Sequence, residues 1–210
     1  LYMEGPLRAQ YGAEFHHPEY FDEVIFQALT MQKHTRDPKT GLLYHAWSYD
    51  RKVEWADKET GCSPEFWGRA MGWVPADHPD RAKLEKMAVD LLKSLLAFQS
   101  EDGRWYQVVN RGDDPANWLE NSCSCLYVAA LCKAIRKGLL DASYLEYARK
   151  GYEGVIRSLT WEDDDLIIGN VCIGTGVGDY DHYIHRPVSA NDLHGVGAFL
   201  LMCEECEQVF

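Results

Sequence analysis

Arg69 is the residue of this sequence best suited to hold an acid. It stands in Cys62-Ser63-Pro64-Glu65-Phe66-Trp67-Gly68-Arg69-Ala70-Met71-Gly72-Trp73, between two tryptophans and two glycines. A guanidinium is a planar fork that matches a carboxylate with two parallel hydrogen bonds. Indole faces are flat apolar platforms for the C–H face of a sugar ring. Glycine inside a helix costs about 1 kcal/mol relative to Ala, so Gly68 and Gly72 imply close approach of a ligand or a second helix. The same residue types describe a buried Trp pair with a structural Arg equally well.

Two histidines stand in comparable places. His45 lies in Tyr44-His45-Ala46-Trp47, and His194 in Asn191-Asp192-Leu193-His194-Gly195-Val196-Gly197. A lone His is more often structural than functional, but His194 beside paired glycines repeats the surroundings of Arg69. Glu120, in Asn117-Trp118-Leu119-Glu120-Asn121-Ser122, has the chemistry of a general acid; its place before a helix favours capping or bracing. Other chemistries find no support. Gly174-Thr175-Gly176-Val177-Gly178 lacks the Lys-Ser/Thr of a phosphate loop. The histidines show no zinc-protease spacing, and no nucleophile elbow is present.

Positioning these groups falls to helices. Apolar residues recur at three- and four-residue spacing over Glu19 to His34, Arg81 to Gln99, Ser122 to Lys137, Tyr144 to Leu159 and Leu193 to Phe210. A longer repeat lies beneath. Gly41, Gly103 and, more vaguely, Gly169 each lead into a short extended piece. Roughly 20 residues later a helix start is predicted, near Ser63, Ser122 and Asn191. Ser63-Pro64 is a good start signal, which puts Trp67, Arg69 and Trp73 in the first turns of a helix. Hairpins of ~60–70 residues that stack side by side close into an α/α toroid whose loops gather at one end. His45 and Gln107 occupy the same loop position in successive repeats, so both belong at the end that carries Arg69. A closed ring of six hairpins needs ~350–400 residues. The expected architecture is therefore all-α, a partial (α/α)6 ring forming a single domain over residues 1–210.

Composition sets outer limits. The chain is 46% hydrophobic and 12% aromatic, with seven Trp and twelve Tyr, which suits a packed domain or one that stacks on sugars. A net charge of −12 repels phosphate backbones, so nucleic acid is not an expected partner. No apolar run is long enough to span a bilayer, so no membrane is expected either. The seven Cys are odd in number and lack paired metal-ligand spacing. Cys203 and Cys206 fall on a helical stretch without a second ligand pair, and buried free thiols are the reading. That reading, with no signal peptide visible, points to a reducing, cytoplasmic location.

Several segments together resemble glycoside hydrolase family 105, the unsaturated rhamnogalacturonyl hydrolases. They are Gly41 to Trp47, Trp55-Ala56, Gly61 to Trp73, Trp105 to Val109, Asn117 to Glu120 and Asn191 to Gly195, in order along almost the whole chain. The element Ser63-Pro64-Glu65-Phe66-Trp67-Gly68-Arg69 with Gly72-Trp73 is the most specific. The resemblance implies removal of a 4,5-unsaturated galacturonyl residue from the non-reducing end of rhamnogalacturonan oligosaccharides. An Asp protonates C4 of the vinyl ether, water adds at C5, and the hemiketal opens to release the sugar. No metal or other cofactor is implied. His45, Trp67, Arg69 and Trp73 match positions lining the unsaturated-sugar subsite, Arg69 holding the carboxylate; His194 matches a His at the same mouth. Met3 follows the catalytic Asp closely in the family pattern and is expected to border the site.

The sequence departs from that pattern in three places. The proton-donor Asp falls two residues before Leu1, and the first two hairpins, with a second important Asp, precede it. Pro75 follows Trp73 at two residues, where the family continues a helix. Ser48 stands where an Asp is common. From these departures we expect the 210-residue chain to lack hydration activity on its own and to expose an apolar seam. Two alternatives share the same residues: an unsaturated glucuronyl hydrolase acting on glycosaminoglycan fragments, and an inactive sugar-binding remnant.

Overall fold

The computed structural model describes residues 4–70 and 81–210. Met3, Trp73 and the proline after it lie outside the described residues. Among the described residues seven α-helices follow in order: α1 Glu4–Glu14, α2 Glu19–Thr35, α3 Arg81–Leu96, α4 Asn121–Arg136, α5 Leu145–Arg157, α6 Tyr180–Ile184 and α7 Leu193–Glu207. The sheet structure consists of three separate two-stranded antiparallel ladders. β1 (Trp105–Tyr106) pairs with β2 (Leu119–Glu120), β3 (Thr160–Glu162) with β4 (Asp165–Ile167), and β5 (Val171–Cys172) with β6 (Val188–Ser189). The fold is built of packed helical hairpins without a closed sheet, as expected of a partial α/α toroid.

Helix α4 is the hub. Its apolar residues run all round the axis, which marks a helix buried on every side, and Leu126, Val128, Leu131 and Cys132 are all buried. They join one core with Leu92 and Leu95 of α3, Ala148 and Val155 of α5, and Ala198, Met202 and Cys206 of α7. Glu120 caps α4 by accepting from Cys123 N, and Asp192 caps α7 by accepting from His194 N. Five predicted helices thus occur within a few residues of their expected ends.

The repeat has a definite local form. In each copy the extended piece after the turn pairs with residues just ahead of the next element. Trp47 bridges Cys62, Trp105 pairs with Glu120, and Cys172 pairs with Val188. Gly41 and Gly103 take the left-handed backbone (φ 75° and 104°) that begins the first two copies. In the third, Asn170 (φ 50°) takes that conformation in place of Gly169. The stretch Leu166 to Cys172 is also divided between two ladders, β4 and β5.

Large apolar side chains stand exposed on helices from both ends of the sequence. Leu7 and Tyr11 of α1, Phe15 just after it, Phe26 of α2, and Leu193 and Leu200 of α7 are all open to solvent.

Candidate functional site

The loop that carries Trp67 and Arg69 is zipped to the loop of the next repeat. Trp67 bridges Val108 in antiparallel fashion. Gly68 N donates to Gln107 O at 3.3 Å, and Val109 N donates to Phe66 O at 3.2 Å. The Tyr127 hydroxyl donates to the Gly68 carbonyl from α4. This pairing overrides the helix predicted from Ser63-Pro64. Trp67 is extended, and Gly68–Ala70 form a 3-10 turn. Ser63 caps nothing: its hydroxyl accepts from Ala46 N at 3.1 Å and its N–H donates to Ala46 O at 2.9 Å. Backbone groups claimed by a neighbouring loop are unavailable to helical bonds, which is why the capping signal misleads here.

His45 sits against this zip. Its N–H donates to Glu65 O at 3.2 Å, and its ring meets Trp67 at a centroid distance of 4.7 Å. Its Nδ1 lies 2.5 Å from the Tyr183 hydroxyl. Burial, aided by the nearby charge of His182, lowers the imidazole to about 4, so it is neutral at pH 7. Trp67 donates through Nε1 to Gln107 Oε1 at 3.2 Å. Gln107 in turn donates to Cys172 Sγ at 3.0 Å and to Tyr183 O at 3.3 Å.

Arg69 continues the chain of contacts. Its guanidinium carbon lies 4.8 Å from the Trp67 ring centroid. Nη1 donates to Ser122 Oγ at 3.1 Å and to Cys172 O at 2.7 Å, and Nη2 donates to Ile173 O at 3.0 Å. The residue is 6% exposed. It is therefore a structural clasp between repeats as well as a cation beside the tryptophan.

Glu120 braces the same junction. Its carboxylate accepts from Ser122 Oγ, from Cys123 N at 2.5 Å and from Cys172 N at 2.9 Å. Capping and bracing, not acid catalysis, is what these bonds describe. At the start of α7, Asp192 accepts from His194 N at 3.0 Å and lies 2.7 Å from His194 Nδ1. Those two bonds, more than the charge of Arg69, hold the Asp192 carboxyl below its usual range. Glu65 and Arg111 meet 3.3 Å apart, with Arg111 also over the Tyr180 ring. Burial raises the Glu65 carboxyl against the lowering pull of Arg111.

The structure thus brings His45, Trp67 and Arg69 into one contiguous group. His194 pairs with Asp192 at the start of α7 and remains exposed. Trp67 is only 9% exposed, so its ring is packed mostly by protein. Sequence reasoning missed Tyr183, which is fully buried beneath His45, and the sulfur and carbonyl of Cys172. A signal for Tyr183 existed: Asp179 caps α6, and Tyr180 and Tyr183 fall three apart on it. Among the described residues no cluster of three or more His, Cys, Asp or Glu is placed to hold a metal ion, and no helix is long and apolar enough to cross a membrane. The group sets a neutral imidazole, an indole and a guanidinium side by side.

Known proteins share this chain's sequence and shape. Protein Atu3128 of Agrobacterium fabrum is 27% identical over 95% of this chain and 96% of its own length. The unsaturated rhamnogalacturonyl hydrolase YesR of Bacillus subtilis is 28% identical over 84% of this chain and 49% of its own. A family 105 glycoside hydrolase from C. acetobutylicum superposes with a TM-score of 0.90 at 35% identity, covering 97% of this chain and 62% of that one. This chain accordingly spans about half to two thirds of the length of the latter two. The sequence model of Glycosyl Hydrolase Family 88 matches residues 1–210 in full, and the chain belongs to that family.

Proposed function

We propose that the chain supplies the uronide-binding wall of a hydrolase that removes a 4,5-unsaturated galacturonyl residue from rhamnogalacturonan oligosaccharides. The observation that carries the reading is the continuity of His45, Trp67 and Arg69, each touching the next. The similarity to YesR supports the rhamnogalacturonan substrate. Domain, subsite and substrate assignments are of one piece: a single partial toroid, with Trp73 and Met3 expected at the same subsite.

The chemistry is acid-catalysed hydration of an enol ether. A carboxylic acid gives its proton to C4, leaving an oxocarbenium-like cation at C5 that takes up water. Loss of a proton gives the hemiketal, which opens and releases the sugar. In this scheme Arg69 pairs with the uronate carboxylate, Trp67 packs at the ring, and His45 donates to a sugar oxygen.

Calorimetric titration tests the reading. The 210-residue chain is expected to bind an unsaturated galacturonyl-rhamnose disaccharide at least tenfold more tightly than its saturated counterpart. Failure to bind any uronide would overturn the proposal. Preference for an unsaturated glucuronyl disaccharide would move the substrate to glycosaminoglycan fragments.

A further inference from the structure

Two contacts of buried Tyr183 decide where its proton points. Gly178 N donates to Tyr183 Oη at 3.3 Å, and Oη lies 2.5 Å from His45 Nδ1. A backbone N–H only donates, so the Gly178 bond uses an acceptor position of the phenol and leaves the phenolic proton to be placed. Among the described residues, His45 Nδ1 is the acceptor offered to it. If Nδ1 carried the proton instead, Oη would accept twice and a buried O–H would have no acceptor. That arrangement costs about 1–3 kcal/mol.

We infer that Tyr183 is a positioning residue that locks His45 in the tautomer protonated on Nε2, making Nε2–H a fixed donor to an oxygen of the bound unsaturated uronide. This role rests on the uronide-binding reading of the site. The surrounding contacts agree with it. Burial pushes the Tyr183 hydroxyl up to about 12, so the phenol keeps its proton. The low value of His45 keeps the ring neutral. Trp67 packs on the ring, and the bond from His45 N to Glu65 O pins its backbone. A His with one nitrogen held by a second group presents the other in a defined direction. Neutrality also suits the reaction, since an imidazolium here would oppose the positive charge that develops at C5.

Long-range nitrogen–proton NMR on the ¹⁵N-labelled chain reads the tautomer directly. The expected spectrum shows an unprotonated-type Nδ1 and a protonated-type Nε2 for His45. In Tyr183→Phe, the Nδ1 resonance shifts as the tautomers mix, and affinity for the unsaturated disaccharide falls about three- to tenfold. A wild-type spectrum with the proton on Nδ1, or Y183F with unchanged His45 nitrogens, would overturn the lock. Should Y183F fail to fold, the wild-type spectrum decides alone. A chain that shows the Nε2–H tautomer but binds no uronide overturns the ligand and leaves the lock standing, so the two failures are distinguishable.

Discussion

Arg69 Nη1 donates to the backbone carbonyl of Cys172 at 2.7 Å, so a side chain of the first repeat holds the extended strand of the third. The planar fork reaches Ile173 O as well, at 3.0 Å. A lysine is a point charge and cannot span both carbonyls in this geometry. Arg69→Lys is expected to lower the unfolding free energy by about 2–3 kcal/mol, and Arg69→Ala by about 3–4 kcal/mol. The check is the urea midpoint at unchanged slope. A midpoint for R69K equal to wild type would show that the clasp carries no net stability.

Glu120 makes the complementary prediction. Its carboxylate serves two backbone N–H groups, of Cys123 and Cys172, in different repeats. Glu120→Ala removes a helix cap and strands both donors, an expected loss of about 2–4 kcal/mol. Glu120→Gln keeps one acceptor oxygen and is expected to lose less. If the residue were a general acid rather than a brace, E120Q would instead keep full stability; thermal melts of the two variants separate the cases.

How much of this was legible beforehand depends on the kind of signal. Helical periodicity located α2, α3, α4, α5 and α7 within a few residues because apolar spacing is a local property of a buried face. The turns at Gly41 and Gly103 were legible because left-handed backbone selects glycine. Ser63-Pro64 misled because the competing partner, the Gln107 to Val109 strand, is distant in sequence. The contact between Tyr183 and His45 was illegible for the same reason: the capping signal at Asp179 marks α6 but says nothing of a histidine so distant in sequence. The grouping of His45, Trp67 and Arg69 was readable through the repeat, which sets equivalent loops at one end, and through the family resemblance of the segments that carry them.

The thiols offer a test of packing. Among the free cysteines Cys203 alone is half-buried, and Cys62, Cys123, Cys125, Cys132, Cys172 and Cys206 are buried. Burial pushes the Cys203 thiol up as well, so even this group is a slow nucleophile. A disulfide-exchange reagent is expected to label Cys203 first in the native chain and the remainder only after denaturant. Cys203→Ser should remove the early phase. Rapid native labelling of Cys125, Cys132 or Cys206 would contradict the packed α4–α7 core.

Gly103 and Gly138 share a left-handed backbone but not a neighbourhood. A Cβ on Gly103 (φ 104°) would stand 2.2 Å from Lys150 O, a backbone atom of α5, whereas one on Gly138 (φ 70°) meets nothing within 4 Å. Gly138→Ala therefore meets only the backbone term, about 1–2 kcal/mol. Gly103→Ala adds a clash with an atom that cannot move without its helix, and is expected to exceed 3 kcal/mol or prevent folding. Chemical denaturation of the two variants side by side checks the order; equal losses would mean that the loop does not rest on α5.

His45 makes stability depend on pH in a predictable direction. In the folded chain its imidazole stays neutral down to about 4, chiefly through burial, against an ordinary value of 6.5. Between those values the unfolded chain binds a proton that the folded chain does not. Stability from this group is therefore complete above about pH 6.5 and is lost as pH falls toward 4, by at most about 3 kcal/mol. Carboxylates held low, such as Asp37 beside Thr40, lose their contribution mainly at lower pH, and Glu65, held high by burial, acts in the opposite sense within the window, so the comparison with a His45 variant is what isolates the histidine. His45→Gln keeps a polar side chain near Tyr183 and should flatten the slope of stability against pH between 6.5 and 4. An unchanged slope in H45Q would assign the dependence to another group and free His45 of its burial penalty.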